Sequence, residues 1–283
     1  MSNQDIFIFE YISGGGFNKV NIPSSLLCEG FSMLRSLIMD FNQLSFDIST
    51  LIDERIQFLS SYLRTENIVT VKSTDSFNQR FSNMVKSSKL CLIIAPEFSN
   101  ILYNLTEKAL KSNCILLSQN LKLIEIGTSK IKNYNYFIKQ KLPSPRTYKF
   151  DLYEDEIKIK LLIKDEMIRF PLIIKPEDGV GGEDIHIVKS NDSLNFIIKY
   201  LKEKKERSRY VIQNYVKGVD LSATLLGTAN NKNKDSCYCK LLSINRQSVN
   251  FSQKRHNSEY LGGYTPYELG KPLKKKIYSY LEK

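Results

Sequence analysis

Short apolar runs alternate with helical patterns along the first 125 residues of the chain. Residues 6–9 and 90–95 are apolar throughout, which is typical of strands buried on both faces of a parallel sheet. Between them, apolar positions from Leu26 to Ile38 recur at helical spacing, and Ser24 or Ser25 would cap that helix. The other predicted elements are strands at 46–51, 68–71 and 115–117, helices at 77–87 and 100–112, and a helical or extended surface segment at 56–64. Strands that alternate with helices predict a parallel α/β sheet.

The carboxyl ends of those strands are where such a sheet binds ligands. Two segments fall on this edge: the loop after the first strand and the Pro96-Glu97 step after the fourth. We therefore predict that the residues facing a substrate include Glu10, Gly14, Gly15, Gly16 and Glu97. Two alternatives stay open, because three glycines also turn a chain and Glu97 also suits the cap of the next helix.

The run RFPLIIKPEDGVGGEDIHIV, residues 169–188, carries the strongest chemical signal. A strand at 171–174 ends in Lys175, Pro176 stops further pairing, and a second strand returns at 185–188. Between the strands lies a loop with Gly179, Gly181 and Gly182. A lysine beside bare backbone N–H groups favours phosphate binding, although a β-hairpin with a flexible glycine loop is the alternative interpretation.

IIKPEDGVGG and the later VIQNYVKGVDLS together resemble the nucleotide-binding core of the ATP-grasp ligases. The resemblance implies that Lys175 contacts ATP, and that Lys130, in GTSKIKNYNYF, is a second phosphate lysine. It implies a phosphate-covering loop of Gly179, Val180, Gly181 and Gly182. It also implies an adenine edge formed by Gln213, Asn214, Tyr215 and Val216, and a ribose contact from Asp220.

The resemblance extends over nearly the whole chain. FIFEYISGGGF, APEFSNILYNLTEKAL, and LLSINRQSV with LGGYTP are similar to an archaeal ATP-grasp group that includes the tyramine–glutamate ligase of methanofuran biosynthesis. This implies an ATP-dependent ligase that joins an amino-acid carboxylate, such as glutamate, to an amine, such as tyramine. The reaction would pass through an acyl phosphate and release ADP and phosphate, with ATP and Mg²⁺ as cofactors.

Further site residues follow the strand LLSIN. A fixed guanidinium suits phosphate or carboxylate, so Arg246 is predicted to be catalytic together with Lys175. Gln247, Gly262 and Gly263 are predicted on the substrate side of the pocket.

The expected fold is α/β, an ATP-grasp fold with an N-terminal Rossmann-like parallel-sheet domain at 1–125. Two α+β ATP-binding lobes are expected at 126–216 and 217–283. Relatives of this kind hold magnesium with a Glu-x-Asn step on late strands, and none follows Gly270. We therefore expect an incomplete last lobe, from truncation or loss of the metal site, and the metal ligands are unknown. A catalytically silent ATP-binding protein is the alternative function.

Composition and charge limit the classes of partner to be expected. The formal net charge is +11, but residues 1–125 hold 11 basic against 12 acidic residues, whereas residues 126–283 hold 30 against 18. The basic excess belongs to the nucleotide-binding part and carries no nucleic-acid-binding signature, which disfavours a nucleic-acid partner. Five cysteines, three of them in apolar contexts at Cys28, Cys91 and Cys114, predict reduced core thiols in the cytoplasm. No apolar run reaches membrane-spanning length and the N-terminus is polar, so no membrane partner is expected.

Overall fold

The computed structural model describes residues 5–179, 184–229, 237–251 and 258–281. The chain divides into two compact units, residues 1–128 and 129–283. This boundary lies three residues beyond the 125/126 boundary expected from the sequence. The predicted loop residues Val180, Gly181 and Gly182 lie outside the described part.

A five-stranded sheet with parallel pairing organises the described part of the first unit. Its strands, in chain order, are β1 (Asp5–Glu10), β2 (Asp47–Asp53), β3 (Asn67–Val71), β4 (Leu90–Ile94) and β5 (Ile115–Leu116). Their spatial order is β3-β2-β1-β4-β5, so the first strand is central. The alternation of strands and helices in the sequence therefore predicted the parallel sheet correctly.

Helices cover both faces of this sheet. They are α1 (Ser24–Gln43), α2 (Phe77–Ser87), α3 (Ile101–Leu110) and α4 (Leu121–Thr128), with 3₁₀ turns at Glu54–Tyr62 and Phe98–Asn100. Successive residues of β1 point to opposite faces. Ile6 and Ile8 pack in the core beside α1, whereas Phe7 and Phe9 pack in the core with Phe81 of α2. Because both faces are buried, β1 is apolar along almost its whole length.

The second unit contains a four-stranded antiparallel sheet within the described residues. Its strands are β6 (Thr147–Asp151), β7 (Leu172–Pro176), β8 (His186–Val188) and β9 (Arg209–Asn214), in the spatial order β6-β9-β7-β8. The associated helices are α5 (Lys130–Lys139), α6 (Glu156–Lys164) and α7 (Asn191–Lys204). Leu194, Ile197 and Leu201 of α7 share one apolar core with Leu172 and Ile212 of the sheet.

A separate three-stranded antiparallel sheet follows in the described part of this unit. It consists of β10 (Leu221–Ala229), β11 (Cys237–Phe251) and β12 (Ser258–Tyr264), followed by helix α8 (Lys271–Leu281). Large apolar side chains of this sheet are exposed, among them Leu226 (52%), Leu242 (54%) and Leu261 (61%). The expectation that the last lobe is incomplete stays a prediction.

The cysteines only partly follow the expectation of core thiols. Cys91 and Cys114 are buried and free, but Cys28 on α1 is exposed and Cys239 on β11 is exposed as well. The prediction for Cys28 was wrong because its apolar neighbours in sequence lie on a different face of the helix. Among the described residues, no helix combines the length and apolarity that crossing a membrane requires.

Candidate nucleotide site

Lys175 is a half-buried cation at the carboxyl end of β7. Pairing with Val211 of β9 fixes its backbone in the middle of the four-stranded sheet. Burial lowers the pKa of Lys175 to about 8, and the nearby positive charge of Lys130 acts in the same direction. No carboxylate forms an ion pair with Lys175 in the described part of the chain. A partly desolvated cation of this kind gains from binding an anion.

Lys130 begins helix α5 on the same side of the site. Ser129 caps this helix, since its hydroxyl accepts a hydrogen bond from the Lys132 backbone N–H at 3.3 Å. The Lys130 ammonium donates to the Gly179 carbonyl at 3.3 Å. The fold therefore brings together two lysines that the sequence separates by 45 positions, together with the start of the glycine-rich loop.

Gly179 adopts a backbone conformation that suits glycine, with φ of +129°. Among the described atoms, an added Cβ would contact the Arg207 guanidinium at 3.4 Å and the Pro176 ring at 3.9 Å. The described start of the loop is therefore open, and conformation rather than crowding requires glycine here.

Glu177 is a residue of this site that the sequence interpretation missed. It is 9% exposed, its carboxylate accepts a hydrogen bond from the Ser129 hydroxyl at 3.0 Å, and Lys149 on β6 forms an ion pair with it at 3.3 Å. The only sequence signal was an acid placed inside a lysine- and glycine-rich motif, which by itself does not identify distant partners.

The predicted adenine edge lies at the end of β9. Gln213 donates to the Thr147 hydroxyl at 2.6 Å, and the Tyr215 N–H donates to the Pro171 carbonyl at 3.0 Å. Val216 lies beyond the strand and is 69% exposed. The Asn214 side-chain oxygen is buried and accepts no hydrogen bond from the described residues. A buried acceptor without a donor is costly, so it suits an N–H group of a ligand.

Arg246 lies inside β11, not after a strand as the sequence suggested. The polar residues of SINRQSVN led to that error, because a strand with solvated faces tolerates them. Its guanidinium lies 5.8 Å from the Tyr267 ring centroid, and a hydrogen bond with Tyr264 raises the pKa of Arg246. Arg246 is exposed, so its cation is accessible to a ligand.

Several other predicted site residues lie on the same sheet as Arg246 or beside it. The Gln247 N–H donates to the Asp220 backbone carbonyl at 2.9 Å. The side-chain carboxylate of Asp220 takes no part in this contact and is exposed. Gly263 pairs with Gln247, and a Cβ there would lie 2.5 Å from the Arg246 carbonyl oxygen. Gly262 has a φ of +107°, with nothing within 4 Å of an added Cβ.

A polar pocket of about 310 Å³ opens on this sheet. Asn245 donates to the Ser222 hydroxyl at 3.3 Å and the Thr224 hydroxyl at 3.2 Å, and accepts from the Ser243 hydroxyl at 2.8 Å. The described lining also includes Arg246, Gln247, Tyr260, Gly263, Tyr264 and Thr265. None of these lining residues is acidic, so the pocket favours a neutral or anionic group over an ammonium.

The predicted substrate residues of the first unit differ in burial. Glu10 is 1% exposed, and its carboxylate accepts hydrogen bonds from the Ile12 N–H at 2.9 Å and from the Ser13 N–H and hydroxyl at 2.7 Å each. Burial raises the pKa of Glu10, and the hydrogen bonds from Ser13 act in the opposite direction. Glu97 is partly exposed and makes no side-chain hydrogen bond as a helix cap.

The three glycines after Glu10 differ from one another. A Cβ on Gly14 would lie 2.4 Å from the Glu10 carbonyl oxygen, and Gly15, with φ of +90°, faces Val71 at 2.6 Å. Gly16 packs against the Tyr11 ring and also lines a cleft of about 490 Å³, with Phe77, Lys19 and Lys108 among the other lining residues. A substrate role for these positions stays a prediction. Among the described residues, no group of three or more His, Cys, Asp or Glu could hold a metal ion.

Two domain families match the chain. Residues 128–283 match the ATP-grasp domain, and residues 46–122 match the pre ATP-grasp 3 domain. The tyramine–L-glutamate ligase of Methanocaldococcus jannaschii is 28% identical over 208 residues, which cover 66% of this chain and 62% of that protein. The enzyme of the same name from Methanocaldococcus fervens is 27% identical over 225 residues, 78% of this chain and 62% of that protein. The chain therefore spans less than two thirds of the length of these relatives.

Solved structures share the architecture. An ATP-grasp superfamily protein from Archaeoglobus fulgidus aligns with a TM-score of 0.65 and 21% identity, over 99% of this chain and 70% of that one. The ATP complex of D-alanine–D-alanine ligase from Bacillus anthracis gives a TM-score of 0.62 and 17% identity, over 99% of this chain and 76% of that one. At these identities the likeness concerns the fold, and the fold expected from the sequence is confirmed.

Proposed function

Because this chain belongs to the ATP-grasp family, we propose that it binds ATP between Lys130 and Lys175 and uses it to join a carboxylate to an amine. The observation that carries the proposal is the half-buried Lys175, which lies close to Lys130 and pairs with no described carboxylate. Two like charges held near each other are unfavourable in the protein alone and become favourable around a polyphosphate.

The described residues fit a nucleotide. Lys130 and Lys175 would hold the phosphates, and the open backbone at Gly179 would allow close approach. The unused oxygen of Asn214 would accept from the base, and the exposed Asp220 carboxylate would accept from the ribose hydroxyls. Magnesium ordinarily accompanies ATP in phosphoryl transfer, but the described residues contain no cluster that would hold it. None of the roles proposed for this chain's residues involves the metal.

The proposed reaction has two steps. An oxygen of the substrate carboxylate attacks the terminal phosphorus of ATP, the bond to the bridging oxygen breaks, and ADP leaves. The amine then attacks the acyl carbon, the carbon–oxygen bond to phosphate breaks, and one proton is released as the amide forms. Phosphorylation is needed because a carboxylate alone would have to expel oxide.

Positioning and charge are the protein's contribution to these steps. The two lysines would bind the terminal phosphates, and Arg246 would stabilise negative charge that develops on the phosphate or carboxylate oxygens. The described lining of the pocket beside Arg246 contains no acid, which supports placing the carboxylate substrate there. For the substrates we infer an amino-acid carboxylate such as glutamate and an aromatic amine such as tyramine, since the curated relatives are tyramine–L-glutamate ligases.

Two measurements test the proposal. Calorimetry should detect ATP binding by the chain, and ADP with phosphate should accumulate only when ATP, Mg²⁺, an amino acid and an amine are all present. Oxygen-18 placed in the substrate carboxylate should appear in the released phosphate. Label in AMP would contradict the acyl-phosphate mechanism, and ATP binding without amide formation would contradict the ligase activity while retaining the nucleotide site.

A further inference from the structure

The backbone of Glu177 connects three segments of the nucleotide site. Its N–H donates to the carbonyl of Arg209 at the start of β9, at 3.1 Å. Its carbonyl accepts from the N–H of Lys130 at 3.1 Å. The first N–H groups of a helix lack partners within the helix, so this contact satisfies one at the start of α5. Glu177 thus ties the lysine-bearing end of β7 to the lysine-bearing start of α5.

The side chain of Glu177 strengthens the same connection. Its carboxylate accepts from the Ser129 hydroxyl at 3.0 Å, while that hydroxyl accepts from the Lys132 N–H as the cap of α5. Its other oxygen lies 3.3 Å from the Lys149 ammonium on β6. The Glu177 side chain is 12% exposed, whereas the Lys149 side chain is 46% exposed, so only the Glu177 end of this ion pair is largely shielded from water.

The electrostatics explain why such a connection is needed. Lys130 is close enough to contribute to the lowered pKa of Lys175, so each positive charge disfavours the other. Repulsion favours displacement of the α5 start, where Lys130 resides, away from β7. The hydrogen bonds of Glu177 to Ser129 and Lys130 oppose that displacement.

We infer that Glu177 is a positioning residue that holds Lys130 beside Lys175, so that both lysines can bind one polyphosphate. This inference rests on the proposed ATP site and adds a residue that does not itself contact the nucleotide. Preorganisation of this kind lowers the cost of ordering a binding site when the ligand arrives.

Two substitutions at this position test the inference against a matched control. Glu177→Ala removes the acceptor for Ser129 and the ion pair with Lys149. Glu177→Gln keeps an oxygen acceptor for Ser129 but loses the negative charge. Glu156→Gln serves as the control, because Glu156 pairs with Lys202 and Lys160 in the same lobe and has no contact with the lysine site.

Calorimetry with ATP should separate these variants. Glu177→Ala should weaken ATP binding by about 10- to 100-fold, the scale of losing one hydrogen bond to a charged group. Glu177→Gln should weaken it at most about fivefold, the scale of an ion pair with a partly exposed lysine. Glu156→Gln should leave ATP affinity unchanged.

The pH profile distinguishes positioning from a general structural role. In the wild-type protein, ATP affinity should fall as the pH rises through about 8, where Lys175 loses its proton. In Glu177→Ala, a displaced Lys130 should lower the pKa of Lys175 less, so the fall should move to higher pH, while burial, the larger cause, still lowers this pKa. A general loss of stability would lower the melting temperature without changing the pH at which ATP affinity falls.

Different results would contradict the role of Glu177 and the proposed function. If Glu177→Ala folds by circular dichroism and keeps both the ATP affinity and the pH profile of the wild type, the inference is wrong. If that variant does not fold, Ser129→Ala carries the test, since it removes the donor to Glu177, and unchanged binding and pH profile there are equally decisive. Absence of ATP binding by the wild type contradicts the proposed function itself.

Discussion

Two glycine-rich loops of this chain look alike in sequence and differ in structure. Each follows a strand whose end carries a charge, Glu10 before Gly14 and Lys175 before Gly179. Glu10 is fully buried, and its own loop satisfies its carboxylate through Ile12 and Ser13. Lys175 is half-buried and pairs with no described carboxylate. The Glu10 carboxylate is bound by its own loop, whereas the Lys175 ammonium could bind a ligand.

The glycines of the two loops also differ in how closely protein atoms surround them. Gly14 and Gly15 are crowded by Phe9 and Val71, so protein atoms already fill the space that a ligand would need. A Cβ on Gly179 would come no closer than 3.4 Å to any described atom, the nearest being in the Arg207 guanidinium. Glycine in a loop is therefore uninformative until its surroundings are known, because close packing and close ligand approach both require the missing Cβ.

The largest expected effect on stability comes from removing Glu10, whose carboxylate is hydrogen-bonded by its own loop. Glu10→Ala leaves the buried N–H groups of Ile12 and Ser13 without acceptors, and should cost about 2 to 6 kcal/mol of unfolding free energy, at roughly 1 to 3 kcal/mol per group. Urea denaturation measures this loss. Glu97→Ala is the control, with a change below about 1 kcal/mol, since Glu97 makes no cap hydrogen bond. A Glu10→Ala protein of normal stability that lost ligation would instead favour the substrate role.

A slightly smaller effect is expected at the crowded glycine. Gly15→Ala places a Cβ 2.6 Å from Val71 at a φ of +90°, and should cost about 2 to 4 kcal/mol through strain and overpacking together. Gly218→Ala is the matched control, because nothing lies within 4 Å of its added Cβ. Equal melting temperatures for the two variants would show that the loop adjusts freely and that the contrast between the loops is overstated.

Removing the charge of Lys175, which pairs with no described carboxylate, should have the opposite effect on stability. Lys175→Met keeps an apolar stem and should leave the fold at least as stable, because it removes a partly desolvated cation. ATP affinity should fall roughly 10- to 150-fold, the scale of one charge-assisted hydrogen bond. Lys199→Met is the control in the same lobe, at a lysine that is 79% exposed. Unchanged ATP affinity in Lys175→Met would remove this residue from the site.

Stability and ATP affinity should change with pH in opposite directions. Burial and Lys130 lower the pKa of Lys175 from 10.5 to about 8, so between those pH values the unfolded chain holds a proton that the folded chain lacks. Stability without ATP should therefore rise with pH across this window, while ATP affinity falls at most about tenfold per pH unit. The difference between wild type and Lys175→Met isolates the contribution of this lysine. Parallel pH profiles for the two proteins would contradict the lowered pKa.

The fold could be predicted from sequence because periodicity reports burial directly. Helix α2 begins and ends where the apolar spacing indicated, and the doubly buried strands β1 and β4 are continuous apolar runs. The meeting of Lys130 and Lys175 followed from the resemblance to ATP-grasp motifs. Glu177 was missed because its role depends on Ser129, 48 residues away, and no local pattern encodes that contact. Arg246 was misplaced because a partly solvated strand lacks a clear boundary signal.

The smallest effect is expected at Asp220, the proposed ribose contact. Asp220→Asn keeps the shape of the side chain and the backbone contact to Gln247, but weakens an exposed acceptor for ribose hydroxyls. Losing the charge should cost about 0.5 to 1.5 kcal/mol of ATP binding, or roughly two- to tenfold in affinity. The measurement is calorimetry with ATP and with 2′-deoxy-ATP, which lacks one of the hydroxyls. If Asp220 contacts that hydroxyl, the substitution should weaken ATP more than 2′-deoxy-ATP, because the deoxy nucleotide has already lost the interaction. Equal losses for both nucleotides would place Asp220 outside the contact with this hydroxyl, while the lysine site would be unaffected.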